Sequence, residues 1–395
     1  MIQIKLKDKR LSKRWEYIVR SHMKVASPLA AGGGGLGHAS VQQSFAATQA
    51  VWRFFSNERI TFEELIVPLR DFTRLQCGSI QAPFLLVAHD WSKLSYPGHK
   101  SRKDMPELSN SNDIGYELTC ALAINPDNGA PIAPLEMHFK TAAGTLSTRE
   151  NVETLGHIDQ VLPTMDASAH WKLGKPIVHV IDREADSVGH YRQWDASSHK
   201  FLIRADDRRV LYQGQRVKLS DVRNQVRSQG GYQAAGPVLY HNRKAELEIA
   251  EVDVILYRPA RKSVNKVRTD VPGVPLPVRM VLTRVVDGDQ KLLAEWYLLS
   301  NVPRELADTK LLAHCYYWRW KIETFFKLSK SHGAQIEDWQ QETAAALFRR
   351  LLVASMATAT VWHLLASDDP KTNEFKTILM GLSRRQTKRK RPFIR

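Results

Sequence analysis

Apolar and polar positions along the chain fall into three successive rhythms. Up to about Cys77 the spacing is helical: Leu11–Met23 forms a basic amphipathic segment, and Val41–Phe55 forms another around Phe45, Ala46, Ala50, Val51, Trp52, Phe54 and Phe55. Thr61 with Glu64 three residues later is a capping box that opens a third helix. Strand-length runs follow. Phe84–Ala88 leads into His89 and Asp90, and Tyr116–Ile124 and Pro131–Phe139 flank the turn-forming NPDNGA. Val152–Met165 predicts a helix, Pro176–Ile181 a buried strand ending at Asp182, Ser187–Trp194 a helix and Phe201–Arg204 a strand. Three meandering strands, a helix, then a strand able to pair with the first is the order of an RNase H-like sheet. From Ala205 to about Asn301 the pattern is β-rich, with strands at Lys244–Tyr257, Val278–Val286 and Leu292–Leu299 and a basic loop at Arg258–Arg268. Helices return from Ala307 to Ala366, where the apolar run Leu351–Ala366 is short for a membrane span and reads as a buried helix.

The expected organisation is an α/β chain. An N-terminal helical DNA-binding domain (1–77) precedes an RNase H-like core in two parts (78–204 and 302–370). A β-rich insertion (205–301) interrupts the core, and a basic tail (371–395) follows it. At 395 residues two or three domains are expected, and 43% hydrophobic content suffices for packed interiors.

A net charge of +16 points to a polyanionic partner, nucleic acid first. The excess is concentrated at the ends. Met1–Lys24 carries eight basic residues against two acidic ones, and Ser383–Arg395 carries seven and none. Cys77, Cys120 and Cys315 are scattered, which suits a reducing compartment and argues against a disulfide framework or a zinc site. Met1–Arg14 is too polar for a signal peptide, so a cytoplasmic protein without membrane attachment is expected. Gly32, Gly34 and Gly37 match a dinucleotide-loop spacing, but no strand precedes them and a connector is the better reading.

Candidate chemistry centres on Tyr316–Lys330. Read as one helix, it puts Tyr316, Arg319, Glu323 and Lys330 within an arc of about 60° at roughly 100° per residue. Trp318, Ile322, Phe325 and Phe326 then face inward. Glu323 and Lys327 have the favoured i,i+4 order, whereas Arg319 and Glu323 have the weaker reverse order. If the strands ending at Asp90 and Asp182 are neighbours, about 4.8 Å apart, both carboxylates reach one cation, and Glu323 can join them. An all-oxygen donor set with no nearby His or Cys favours Mg²⁺ or Mn²⁺. Two such ions can drive phosphodiester displacement.

The spacing Tyr316-x2-Arg319-x3-Glu323-x6-Lys330 resembles the helix signature of bacterial DDE transposases of the insertion-sequence-4 family, the group that includes the transposon-five enzyme. VIDREAD at Val180–Asp186, HDWSKLSY around Asp90 and AVWRFFSNERIT at Ala50–Thr61 resemble that family in the same order. The resemblance runs from about Asp8 to Gly333. It implies an RNase H-like core that cuts and pastes DNA with two Mg²⁺ ions, Mn²⁺ substituting, held by Asp90, Asp182 and Glu323. It further implies that Tyr316, Arg319 and Lys330 contact transposon-end phosphates, that Arg204 contacts DNA, and that Trp296 stacks on a displaced base during hairpin formation. The implied partners are double-stranded DNA, as terminal inverted repeats and target, and a second copy of the chain in a paired-end complex. Two alternatives share these residues: a metal-dependent nuclease that cuts without joining, and a transposase-derived DNA-binding protein that no longer turns over. Family members generally continue past a basic run into further helical sequence. Because this sequence stops at Arg395, weak pairing of two ends is expected of it.

Overall fold

The computed structural model describes residues 4–24, 41–99, 102–241, 243–264, 267–332, 334–367, 369, 370, 372–374, 376 and 377. The glycine run and almost all of the basic tail lie outside the described residues.

Three helices open the chain: α1 (Lys9–Lys24), α2 (Val41–Phe55) and α3 (Phe62–Cys77). The Thr61–Glu64 capping box forms, each side chain bonding the other residue's backbone N–H; loss of such a cap costs about 1 kcal/mol. Strands β1 (Leu85–Ser95), β2 (Gly115–Ile124) and β3 (Pro131–Thr141) follow as an antiparallel meander, with the short β4 (Gly144–Ser147) on its edge. Helix α4 (Val161–Ser168) leads to β5 (Ile177–Ile181), which pairs parallel with β1. After α5 (Val188–Ala196), β6 (Lys200–Ala205) pairs parallel with β5. This is the strand order expected from the sequence.

The β-rich stretch contains β7 (Arg209–Tyr212), β8 (Gln215–Lys218), α6 (Leu219–Ser228), β9 (Gln233–Tyr240), β10 (Arg243–Leu256), β11 (Ala260–Val264), β12 (Val267–Val271), β13 (Leu276–Val286) and β14 (Leu292–Ser300). β14 pairs antiparallel with β6, so the insertion extends the core sheet instead of standing apart from it. The order is β4-β3-β2-β1-β5-β6-β14-β13-β10-β7-β8, with β9 on β10. β11 and β12 form a separate two-stranded ribbon where a loop was expected. Its side chains at 261–268 lie outside the described ones.

Helices α7 (Thr309–Trp318), α8 (Lys321–Lys327) and α9 (Ala344–Ala366) follow. They share one core with α1–α3 and the meander. Trp15, Val51, Leu65, Leu86, Leu122, Ile322 and Leu351 all belong to it. A second core lies under α4, α5 and α6, around Met165, Trp194, Val222, Phe201 and Leu282. α9 is long and apolar enough to cross a membrane by length and composition, yet it is mostly buried within the protein. Arg349 in its buried stretch donates to the carbonyls of Phe55 and Ile60 at 3.1 and 2.8 Å, tying α9 to the end of α2.

Three expected helices differ. The helix expected at Val152–Met165 starts only at Val161: Gly156 disfavours the earlier residues, and Pro163 is tolerated because it lies in the first turn. The buried helix expected at Leu351 begins at Ala344, capped by Thr343. The continuous helix over Tyr316–Lys330 is broken. α7 ends at Trp318, a tight turn follows at Arg319 and Trp320, and α8 passes into a π-helical turn at Leu328–His332.

Candidate active site

Parallel pairing of β1 with β5 runs from Leu85 opposite Ile177 to His89 opposite Ile181. The next residue on each strand is an aspartate, so Asp90 and Asp182 sit side by side where that pairing ends. Asp182 follows the last residue of β5. Asp90, expected to terminate its strand, instead lies inside β1, because pairing with β2 continues out to Ser95 opposite Gly115. β1 has therefore lost one neighbour at Asp90 and kept the other. This opens a gap in the sheet that α7 and α8 cover.

Arg319, in the turn between those helices, fills the gap. Its guanidinium lies 3.2 Å from an Asp90 carboxylate oxygen, 3.3 Å from Asp182 and 3.0 Å from Glu323. The Tyr316 hydroxyl donates to Asp182 Oδ1 at 2.9 Å. Arg204 on β6 stands 3.9 Å from the same carboxylate. Only 2% of the Arg319 side chain is exposed, against 19% for Asp90, 31% for Glu323 and 37% for Asp182. The arginine is thus sealed behind the three carboxylates it joins. The Glu323–Lys327 pair favoured by helix order gives way to Arg319–Glu323, since Arg319 answers two further carboxylates from the sheet.

Burial pushes the Asp90 carboxyl up to about 6, against the pull of Arg319 and of the Trp91 N–H that it accepts at 2.8 Å. Burial also acts on Asp182, but Arg319, the Arg183 N–H, Tyr316 and Arg204 together hold it below the usual carboxylate range. Arg319 is raised despite its burial, held charged by Asp182, Tyr316, Asp90 and Glu323. A charged guanidinium between two unlike aspartates follows.

Tyr316, Arg319, Glu323, Asp90, Asp182 and Arg204 therefore meet at one place. Lys330 does not join them. Carried off by the π-helical turn, its ammonium donates to the Lys93 carbonyl at 2.5 Å and lies 3.6 Å from Glu337. Trp296 is 7% exposed in β14, its ring centroid 5.7 Å from that of Tyr316, so it backs the tyrosine from inside the core. The neighbouring acids are occupied elsewhere. Glu184 pairs with His157, and Asp186 holds Arg208 and the Tyr191 hydroxyl.

Sequence reasoning missed the layer behind the site. Trp91, next to Asp90, stacks at 4.1 Å on His157, which bridges Glu117 and Glu184. Glycine chemistry offered one signal for a further support. Gly129, at φ +72° in the predicted NPDNGA turn, lies so close to the Trp318 ring that a Cβ would come within 2.2 Å of it. The end of α7 is thereby fixed one residue before Arg319. A cavity of about 640 Å³ lies at the opposite end of these strands, where Lys175, Ile177, His199 and Lys200 mark the starts of β5 and β6, and takes no part in this site.

Three carboxylates from two adjacent strands and a covering helix, converging on one cation, suit a hard divalent ion better than zinc. Such a donor set is of the kind that metal-assisted phosphoryl transfer uses. The chain belongs to the transposase DDE domain family, whose pattern matches residues 86–359. That span begins at β1 and ends in α9, taking in all six converging residues. Among solved structures the chain is similar to the piggyBac transposase in a cryo-EM synaptic complex with hairpin DNA. The identity is 10% and the TM-score 0.35, over 93% of this chain and 75% of that one. No curated protein matches the chain.

Proposed function

We propose that the protein is a DNA transposase of the insertion-sequence-4 group that excises an element by cutting its ends and joins it to target DNA. The observation that carries this reading is the convergence of Asp90, Asp182 and Glu323 on the Arg319 guanidinium, within a chain whose family is that of the transposase DDE domain.

Asp90, Asp182 and Glu323 would hold two Mg²⁺ ions, with Mn²⁺ as substitute; when bound, such ions activate an attacking oxygen and stabilise a leaving one. The chain's own residues supply the remainder. Arg204, partly exposed and 3.9 Å from Asp182, would offset charge that develops on a scissile phosphate at the carboxylates, and Arg319 would add to this only from a position nearer the surface than the buried one it holds here. Tyr316 fixes the orientation of Asp182 through its hydroxyl, and Trp296 fixes Tyr316. Stacking of Trp296 on a displaced base, which the family resemblance implies, requires the ring to leave this packing. Lys330 supports β1 at Lys93, and the phosphate contact that the resemblance implies for it would lie apart from the three carboxylates.

The DNA partners are terminal inverted repeats and target DNA, drawn to a chain of net charge +16. Two chains would hold two ends. The reaction is tested by incubating the protein and Mg²⁺ with a plasmid carrying its own gene and flanking sequence. Hairpin-ended or joined products are expected. Nicks that never proceed to joining would identify a nuclease, and a protein that binds without cutting would identify a silent descendant.

A further inference from the structure

Arg319 has a feature that a surface contact to DNA does not explain: it is buried inside the acidic site. It sits in the turn between α7 and α8, where Arg319 N–H donates to the Tyr316 carbonyl and Ile322 N–H to the Arg319 carbonyl, both at 3.1 Å. Its two terminal nitrogens hold all three carboxylates at 3.0–3.3 Å. Its Nε–H is buried and has no acceptor among the described residues. As the side chains stand, no three His, Cys, Asp or Glu groups among the described residues are placed to share a metal ion. The guanidinium stands between the acids that would otherwise do so. A fixed positive charge and a divalent ion within a few ångströms of each other, in a spot poor in water, repel strongly. Both cannot occupy the space between the carboxylates.

We infer that Arg319 is an internal counter-ion, which holds the three carboxylates together in the DNA-free protein and moves to a DNA phosphate when a duplex arrives, opening the site to divalent cations. This rests on the metal-dependent reading above and deepens it. The acceptor that can draw the side chain away must match a planar fork with several donors, and a phosphate group does so bidentately. The unpaired Nε–H is a donor that a phosphate would satisfy and that the carboxylates do not. Trp320 beside it is 43% exposed, which puts the turn at the surface where a duplex can reach it. By linkage, DNA and divalent cations must then strengthen each other's binding by the same factor.

The test is Mn²⁺ binding by the full chain, measured by calorimetry or by the electron-paramagnetic-resonance signal of free Mn²⁺, with and without a short mixed-sequence duplex. Without DNA, Arg319→Met is expected to bind Mn²⁺ about 5- to 150-fold more tightly than the wild type. The duplex should tighten Mn²⁺ binding by the wild type and scarcely alter that of Arg319→Met. Arg319→Lys, which keeps the charge, should stay close to the wild type in DNA-free protein. If Arg319→Met does not fold, the wild-type comparison decides alone: Mn²⁺ affinity indifferent to the duplex overturns the inference. If Asp90→Asn abolishes Mn²⁺ binding while folded Arg319→Met matches the wild type, the counter-ion role is wrong and the metal-site reading stands. Absence of Mn²⁺ binding by the wild type even with duplex present overturns both.

Discussion

Among single side chains, Asp90, Asp182 and Glu323 differ in surroundings but share one task in this account. Asp90→Asn, Asp182→Asn and Glu323→Gln each remove a charge while keeping shape. Each is expected to lower DNA cleavage by about 10²–10³-fold or more, the scale set by losing one stabilising group in a preorganised site. Without divalent cations present, duplex affinity should not fall, because phosphate contacts dominate it. A gel-based cleavage assay beside a binding titration checks both, and full cleavage by any one variant would remove that residue from the site. At this scale the sequence was legible where chemistry follows an apolar run. Asp90 and Asp182 could be picked out that way, and their adjacency followed from strand pairing. The burial of Arg319 was not legible. Helix rules weigh only neighbours three or four residues away, whereas the charges that bury Arg319 lie 229 and 137 residues distant in sequence. Lys330 leaves the stripe that helical spacing assigned to it because the π-helical turn at Leu328–His332 breaks that spacing and carries its ammonium to the Lys93 carbonyl.

At the scale of elements, two clamps hold the frame around the site. Glu136 on β3 is the first. It is fully buried and accepts from Thr164 of α4 at 2.8 Å, with His138 at 2.9 Å, Arg149 at 3.6 Å and Arg70 of α3 at 3.9 Å. Burial pushes its carboxyl up, but His138, Arg149 and Thr164 outweigh that and hold it below its ordinary value. A lowered folded value means that the unfolded chain takes up the proton first. The stabilisation is therefore complete above about 4.5 and is lost as pH falls further. Glu136→Gln should flatten the acid limb of stability, read as denaturant midpoints from neutral to acid pH, and lower stability at neutral pH by up to about 3–5 kcal/mol. An unchanged acid limb would show that Glu136 contributes nothing to it.

The second clamp is Arg192 of α5. Its guanidinium donates to the carbonyls of Val274, Leu256 and Arg258 at 2.8, 3.4 and 3.0 Å, gripping both feet of the β11–β12 ribbon. Arg192→Ala should speed amide exchange in β11 and β12 while leaving β13 and β14 protected. Equal protection in both proteins would show the ribbon to be held by other means. Strand identities in the meander, β5, β6, β10, β13 and β14 were legible from apolar runs bounded by turns. Their joining into one sheet was not, since β14 meets β6 across the whole insertion, and no local pattern specifies a partner that far away. β7, β8 and β9 escaped notice because their exposed faces and mixed polarity give weak alternation.

Over the whole molecule, the charge balance makes the clearest demand. With a net charge of +16, DNA binding should be dominated by release of counterions from phosphates. If six phosphates are neutralised, affinity should fall about 10³-fold between 50 and 200 mM salt. A nearly flat response would place recognition in apolar or base-edge contacts instead. Of the two basic stretches that raised this expectation, residues 4–24 are among the described residues and 383–395 lie outside them, and the described surface supplies further basic residues at Arg204, Arg209 and Arg258.

The central claim is that these carboxylates hold the ions used in cutting DNA, and the most direct test changes the chemistry of one ligand. Thiolate is a softer donor than carboxylate and binds Mg²⁺ poorly while accepting thiophilic ions more readily. Cleavage of element-end DNA by Asp182→Cys should therefore be lost in Mg²⁺ and restored in part when Mn²⁺ replaces it, with the wild type active in both. Undiminished cleavage by Asp182→Cys in Mg²⁺ would contradict the account.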